Sequence, residues 1–253
     1  MPLITQPMKT AHLHHQRGIT LFVVIIFVLL TTLLALWGSR TALFSEMVVG
    51  SDADYQRAFE AAQALLQDAE LDIRNEKSDG SACKNTNANT EPYLCREGNS
   101  GSITRIPLEE QDVSLLIANL DSISSGPKCK HGICVKRSGA QDFWNDTNAL
   151  TSMTTADIGA RYGQYIGAKI GSASNPILND RSADNRGGWY WIEIMRYDKD
   201  AGNTGLVPAN ASNFLPLQLD MNIVFRITAV AFGLKPNTMV VLRQTYARKR
   251  LKD

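Results

Sequence analysis

The sequence predicts an α+β protein: a long N-terminal helix, membrane-spanning in its first half, packed on an antiparallel β-sheet head. Three observations carry this. An uncharged apolar run extends from Ile19 to Trp37. Apolar residues then recur at helical spacing to Ile73, with no proline between Ile19 and Asn75. Three β-rich segments close the chain, at 189–197, 222–232 and 238–246.

The run ITLFVVIIFVLLTTLLALW has no charge between Arg17 and Arg40, and its length matches the ~20 residues a helix needs to cross a bilayer. Its three threonines cost little, because a helical hydroxyl bonds back to the carbonyl about one turn earlier. Lys9 and Arg17 precede the run and no acid occurs before Glu46. The positive-inside rule therefore leaves the short N-terminus in the cytoplasm and exports everything after Arg40. A cleavable secretory signal fits poorly, since the run is long and ends in Leu36-Trp37-Gly38-Ser39 without a small-x-small site.

Beyond Arg40 the apolar positions Val48, Tyr55, Phe59, Ala62, Leu66, Ala69 and Ile73 form one helical stripe, with Asp52 interrupting. Asp54, Arg57, Glu60, Gln67, Asp68 and Arg74 are expected to face water. One helix of 1.5 Å rise per residue would run for roughly 80 Å, with Gly38 and Gly50 as the places where it could bend.

Residues 78–101 are rich in Asn, Gly and Ser and read as a loop. Four cysteines fall in two close pairs on the exported side, where an oxidising compartment favours disulfides. Three pairings are possible. Short loops close most readily, which favours Cys83 with Cys95 and Cys129 with Cys134. Zinc is a poor fit to C-x11-C and C-x4-C spacing with only His131 nearby. Of the terminal strands, Trp189–Tyr197 follows a glycine pair, and Asn222–Phe232 and Thr238–Tyr246 are joined by GLKPN as a hairpin.

Catalytic signatures are weak. His131 is the one histidine of the head and lies between two cysteines, a poor base for a Ser-His-Asp site. Glu109, Glu110 and Asp112 read as a solvated turn, and Asp198–Asn203 lacks the spacing and closing Glu of a helix-loop-helix calcium site. The His12, His14 and His15 cluster reads as a polar tail. A net charge of +1 argues against a nucleic-acid surface. No phosphate loop or dinucleotide fingerprint is present, and no cofactor is expected.

The junction QRG-ITLFVVIIF resembles the prepilin family of type IV pili and type II secretion systems, whose leader peptidase cuts after a glycine and methylates the new N-terminus. The resemblance implies cleavage after Gly18, with Ile19 as the methylated first residue. Met8 as the start would give the leader MKTAHLHHQRG, closer to the usual length. The family usually carries Glu at the fifth mature position, where it neutralises a neighbour's N-terminal amine; here Val23 stands there. That departure suits a scarce tip subunit. The segment AFEAAQALLQDAE is similar to the PilX-type minor pilins at Ala58, Phe59, Ala61, Ala62, Ala64, Leu65 and Glu70, with Gln63 replacing a usual glutamate. Arg226, Ile227, Thr228, Gly233 and Tyr246 fit the end of that family, with Ala231 where glycine is common, and the small Cys129–Cys134 loop resembles one found there.

A pilin-like layout follows: residues 1–18 as cytoplasmic leader, 19–38 as the transmembrane half of the helix, 39–76 as its amphipathic half, and 77–253 as the exported head. The implied function is non-enzymatic, in the tip or priming complex of a type IV pilus, supporting adhesion and twitching motility. The implied location is the inner membrane, with the head in the periplasm, and then the pilus. Implied partners are other minor pilins, the major pilin, a large tip adhesin and the prepilin peptidase, with no nucleic acid and no small-molecule substrate. A type II secretion pseudopilin at a pseudopilus tip, and a periplasmic binding domain on an uncleaved anchor, are the alternatives.

Overall fold

The computed structural model describes residues 19–84, 94–96, 105–107, 110–124, 126–167, 175–196 and 223–248. One continuous helix, α1, runs Ile19–Arg74. It is followed by α2 (Glu110–Asp121), β1 (Cys129–Lys130), β2 (Ile133–Val135), a 3-10 turn at Phe143–Asn145, α3 (Thr147–Met153), α4 (Pro176–Asn179), β3 (Gly188–Arg196), β4 (Ile223–Phe232) and β5 (Met239–Tyr246). The chain divides into two compact units, Met1–Ser51 and Asp52–Asp253.

In the first unit, every described residue from 19 to 49 is exposed. The threonine hydroxyls turn back into the helix, Thr31 to the Val28 carbonyl at 3.0 Å and Thr32 to that of Leu29 at 2.9 Å. Their polarity is thus met within the helix, as an apolar surrounding requires.

In the second unit the strands form one sheet in the order β1-β2-β3-β4-β5. The three long strands are antiparallel, and β4 and β5 make the expected hairpin, with Phe232 opposite Met239. The short β2 adds on parallel to β3, so the sheet is mixed. Successive side chains of a strand point to opposite faces, and here both faces are covered. Tyr190, Ile192, Ile194, Phe225, Ile227 and Ala229 join Ala58, Ala61, Ala62, Leu65 and Ala69 of α1 in the main core. Trp189, Trp191 and Val230 turn the other way onto Phe143 and Met153. Burial on both faces explains why β3 reads as a nearly continuous apolar run. The alanines let the helix approach the sheet closely: a Cβ on Gly188 would lie 2.6 Å from Leu65 Cδ1.

The core stripe of α1 differs from the expected one. Val48 and Tyr55 are exposed, whereas Asp54 and Asp68, expected in water, are buried together with Asp72. Asp54, Ala58, Ala61, Leu65, Asp68 and Asp72 follow each other at alternating steps of four and three, so the three carboxylates share the core-facing side. Each finds donors in the head. Asp54 accepts the N–H groups of Leu234 and Lys235 in the β4–β5 turn at 2.9 and 3.0 Å. Asp68 accepts that of Gly163 at 2.9 Å. Asp72 accepts two bonds from the Arg96 guanidinium, at 2.6 and 2.8 Å, and one from the Tyr190 hydroxyl at 2.9 Å.

Arg96 and Asp72 are each 1% exposed at the side chain. Removing one partner strands a buried charge, which typically costs about 3–5 kcal/mol. Asp72→Ala is therefore expected to lower the unfolding free energy of the head by about that amount. Urea denaturation of the full chain in detergent, followed by tryptophan fluorescence, measures it; a loss under about 1 kcal/mol, the scale of a surface pair, would refute the role given to this cluster.

Candidate functional site

Two parts of the molecule are candidates for function: the apolar half of α1 and the surface of the head. In the first, Ile19 opens the helix at 66% exposure and Val23, its fifth residue, is 41% exposed. The turn around Val23 is wholly uncharged, and the nearest acid along the helix is Glu46. The helix is long and apolar enough to cross a membrane. Gly18 and the His12, His14 and His15 cluster lie outside the described residues.

The head is braced where α1 ends. Asn75 takes a left-handed conformation, φ 56°, the usual device for stopping a helix. The chain then turns so that the Cys83 N–H donates to the Asn75 carbonyl at 2.8 Å. Cys83 is bonded to Cys95, which bridges to Ile166, so the disulfide ties the exit of α1 to the middle of the head. Cys129 is bonded to Cys134, directly opposite across β1–β2. His131 and Gly132 both have positive φ, 51° and 81°, as a two-residue hairpin turn requires. This turn is held from below: the His131 carbonyl accepts from Arg96 at 2.6 Å, and the His131 N–H donates to the Asp157 backbone carbonyl at 2.6 Å. The Arg96 guanidinium also stacks 3.9 Å from the Tyr165 ring centre.

Electrostatics in this region serve packing. Burial would lower the Arg96 pKa, but the charge and hydrogen bonds of Asp72 hold it above the usual value. Burial, reinforced by Arg96 and Lys130, lowers that of His131. The imidazole has Tyr165 as its ring neighbour, 6.0 Å away edge-on. Burial raises the Asp68 carboxyl well above 3.8 and Asp72 adds to the effect, outweighing the Gly163 N–H, Arg181 and Arg96. Its Oδ1 is buried with no hydrogen-bond partner among the described residues.

Of the other chemical motifs in the sequence, Glu109 and Asp198–Asn203 lie outside the described residues, and Asp112 is half-buried on α2. Among the described residues no three His, Cys, Asp or Glu side chains gather as a metal site, and every cysteine is disulfide-bonded. The buried aspartates are the residues that hydrophobic periodicity missed. Their signal was present as Asp54, Asp68 and Asp72 at core spacing, but reading it requires the donors of distant segments.

An exposed apolar half-helix continuing into a helix packed on an α+β head defines the pilin-like class of anchored subunits. Residues 17–67 match the PilX N-terminal family model, and residues 93–248 match the model described as type IV pilus assembly protein PilX C-term. The chain belongs to the PilX family of type IV pilus assembly proteins, as a PilX-type minor pilin, a structural pilus component. No curated protein and no solved structure matches it.

The Asp68 environment has a signed pH consequence. A carboxyl whose folded pKa is raised favours the folded state fully below its unfolded value near 3.8, and that contribution is lost as pH rises through the folded pKa. Asp68→Asn keeps an acceptor for Gly163 and carries no charge. The variant is expected to be more stable than the wild type at neutral pH and to converge with it below pH about 4. Denaturation midpoints across pH test this; a neutral-pH midpoint below that of the wild type would contradict it.

Proposed function

We propose that this chain is a minor pilin processed between Gly18 and Ile19, N-methylated on Ile19 and built into the tip or priming complex of a type IV pilus. The observation that carries the reading is the exposed, uncharged opening of α1, with Val23 as its fifth residue. In lipid or in a bundle of like helices this surface stays in an apolar surrounding, so transfer from membrane to filament exposes little of it to water. A subunit repeated along the filament would bury its N-terminal amine beside a neighbour, and a buried charge needs a countercharge. Val23 offers none to the subunit that follows.

On this reading residues 1–18 are the leader, 19–38 span the inner membrane with the N-terminus in the cytoplasm, 39–76 carry the helix onto the head, and 77–253 are exported. The partners are the prepilin peptidase, the other minor pilins, the major pilin and a large tip adhesin. The output is pilus assembly, and through it adhesion and twitching motility. The disulfides Cys83–Cys95 and Cys129–Cys134 accord with a head that folds in an oxidising compartment.

Mass spectrometry of the protein from its native membrane is expected to give N-methyl-Ile19 as the first residue. An intact segment ahead of Ile19 removes the reading. Deletion of the gene is expected to abolish or sharply reduce surface pili and twitching; normal pili without a compensating paralogue would count against it. Supplying the absent carboxylate by Val23→Glu is expected to raise the number of copies recovered per sheared pilus, read by quantitative immunoblot, and an unchanged number would argue against the tip assignment.

A further inference from the structure

On the sheet face opposite α1, a cleft of about 390 Å³ opens between the β1–β2 hairpin and α3. Its floor is apolar, made by the Cys129–Cys134 disulfide, Phe143, Met153 and Trp191. The polar edge of Trp191 is already engaged, its indole N–H donating to the Met153 carbonyl at 3.2 Å. The floor can therefore meet a ligand only through carbon and sulfur.

The rim is basic. Lys128, Lys136 and Arg137 line it, and Glu193 is the one carboxylate among the lining residues. Glu193 is spent: Arg226 donates to both of its oxygens, at 2.6 and 2.8 Å, and the Arg137 N–H donates to one at 3.1 Å. Asp121, from α2, offsets only Lys128, at 2.8 Å. Lys136 is exposed and makes no hydrogen bond or ion pair among the described residues. The Arg137 guanidinium donates to the neutral Ala140 carbonyl at 2.9 Å. The same guanidinium lies over the Phe143 ring, 5.4 Å from its centre, so Lys136 and Arg137 border the apolar floor with no carboxylate paired to either among the described residues.

We infer that this cleft is a docking site for an acidic peptide segment of another exported protein, which seats one large apolar side chain on the disulfide and Trp191 and lays adjoining carboxylates against Lys136 and Arg137. The volume falls within the ~300–1,000 Å³ of small-ligand pockets, room for one anchoring side chain and the backbone that carries it. An apolar anchor ringed by charge is how peptide docking obtains affinity from the centre and orientation from the rim. The choice of a protein occupant rests on the reading that the head works among other exported subunits.

The test uses the full chain in detergent and a fluorescein-labelled, end-blocked Phe-Asp-Glu-Glu peptide followed by fluorescence polarisation. Saturable binding is expected, weakening by about tenfold or more in Lys136→Glu/Arg137→Glu and falling as salt rises. Ser152→Phe, which blocks the mouth from α3, and replacement of the peptide's Phe by Ala are each expected to abolish it. Lys136→Glu alone changes an exposed side chain and guards against misfolding of the double variant. Equal binding of a Phe-Lys-Lys-Lys peptide, undiminished binding by the charge-reversed chains, or preference for oligo-dT over the peptide would overturn the proposal. Failure here with N-methyl-Ile19 present removes the cleft alone, whereas an unprocessed N-terminus removes the processed tip-subunit reading.

Discussion

The head depends on one constraint: the core-facing side of α1 carries carboxylates, and the fold must supply a donor to each. A buried charge in a medium that solvates it poorly is tolerated only when paired and hydrogen-bonded. Asp72 meets this with Arg96 and Tyr190 and Asp54 with two N–H groups of the β4–β5 turn, whereas Asp68 has the Gly163 N–H alone and burial shifts its carboxyl toward the neutral form. Because these donors come from three distant parts of the chain, the helix can sit in one register only. Apolar packing supplies most of the attraction, and the aspartates select the arrangement.

Arg96 extends that constraint across the head. Its guanidinium reaches from Asp72 to the carbonyl of His131, so the tip of the β1–β2 hairpin is anchored to α1. The same hairpin is closed by Cys129–Cys134 and forms one wall of the basic cleft. On the opposite face of the sheet the tryptophans of β3 perform the complementary task, burying the segment from Phe143 to Met153 that forms the other wall. The cleft is thus a consequence of covering both sheet faces with short, irregular elements.

The anchor half obeys different rules. Its described residues expose large apolar side chains such as Phe22, Phe27, Leu34 and Trp37. Such a surface is stable in a membrane or among similar helices and costly in water. The division of α1 into a uniformly apolar half and a half with one packed stripe accompanies the match of residues 17–67 to the PilX N-terminal family model. His131, the one histidine of the head, has its backbone tied into a turn and its ring set against Tyr165.

Local pattern in the sequence was enough for the features that depend on neighbours along the chain. The span of α1, the three long strands to within a residue or so, the terminal hairpin and the two short-range disulfides all follow from periodicity, turn residues and loop closure. The stripe of α1 was only half legible: Ala62, Leu66, Ala69 and Ile73 are buried as periodicity requires, yet Asp54, Asp68 and Asp72 beside them are buried too. Polarity says that a carboxylate belongs in water unless something better awaits it, and what awaits these three lies about 24 to 180 residues away. The parallel pairing of β2 with β3 and the basic cleft were equally out of reach, since both arise where segments remote in sequence meet. Contacts between near neighbours along the chain thus decide which elements form and which half of the helix seeks an apolar surrounding. Where the aspartates go depends on the assembled fold, because their hydrogen-bond donors come together only after folding.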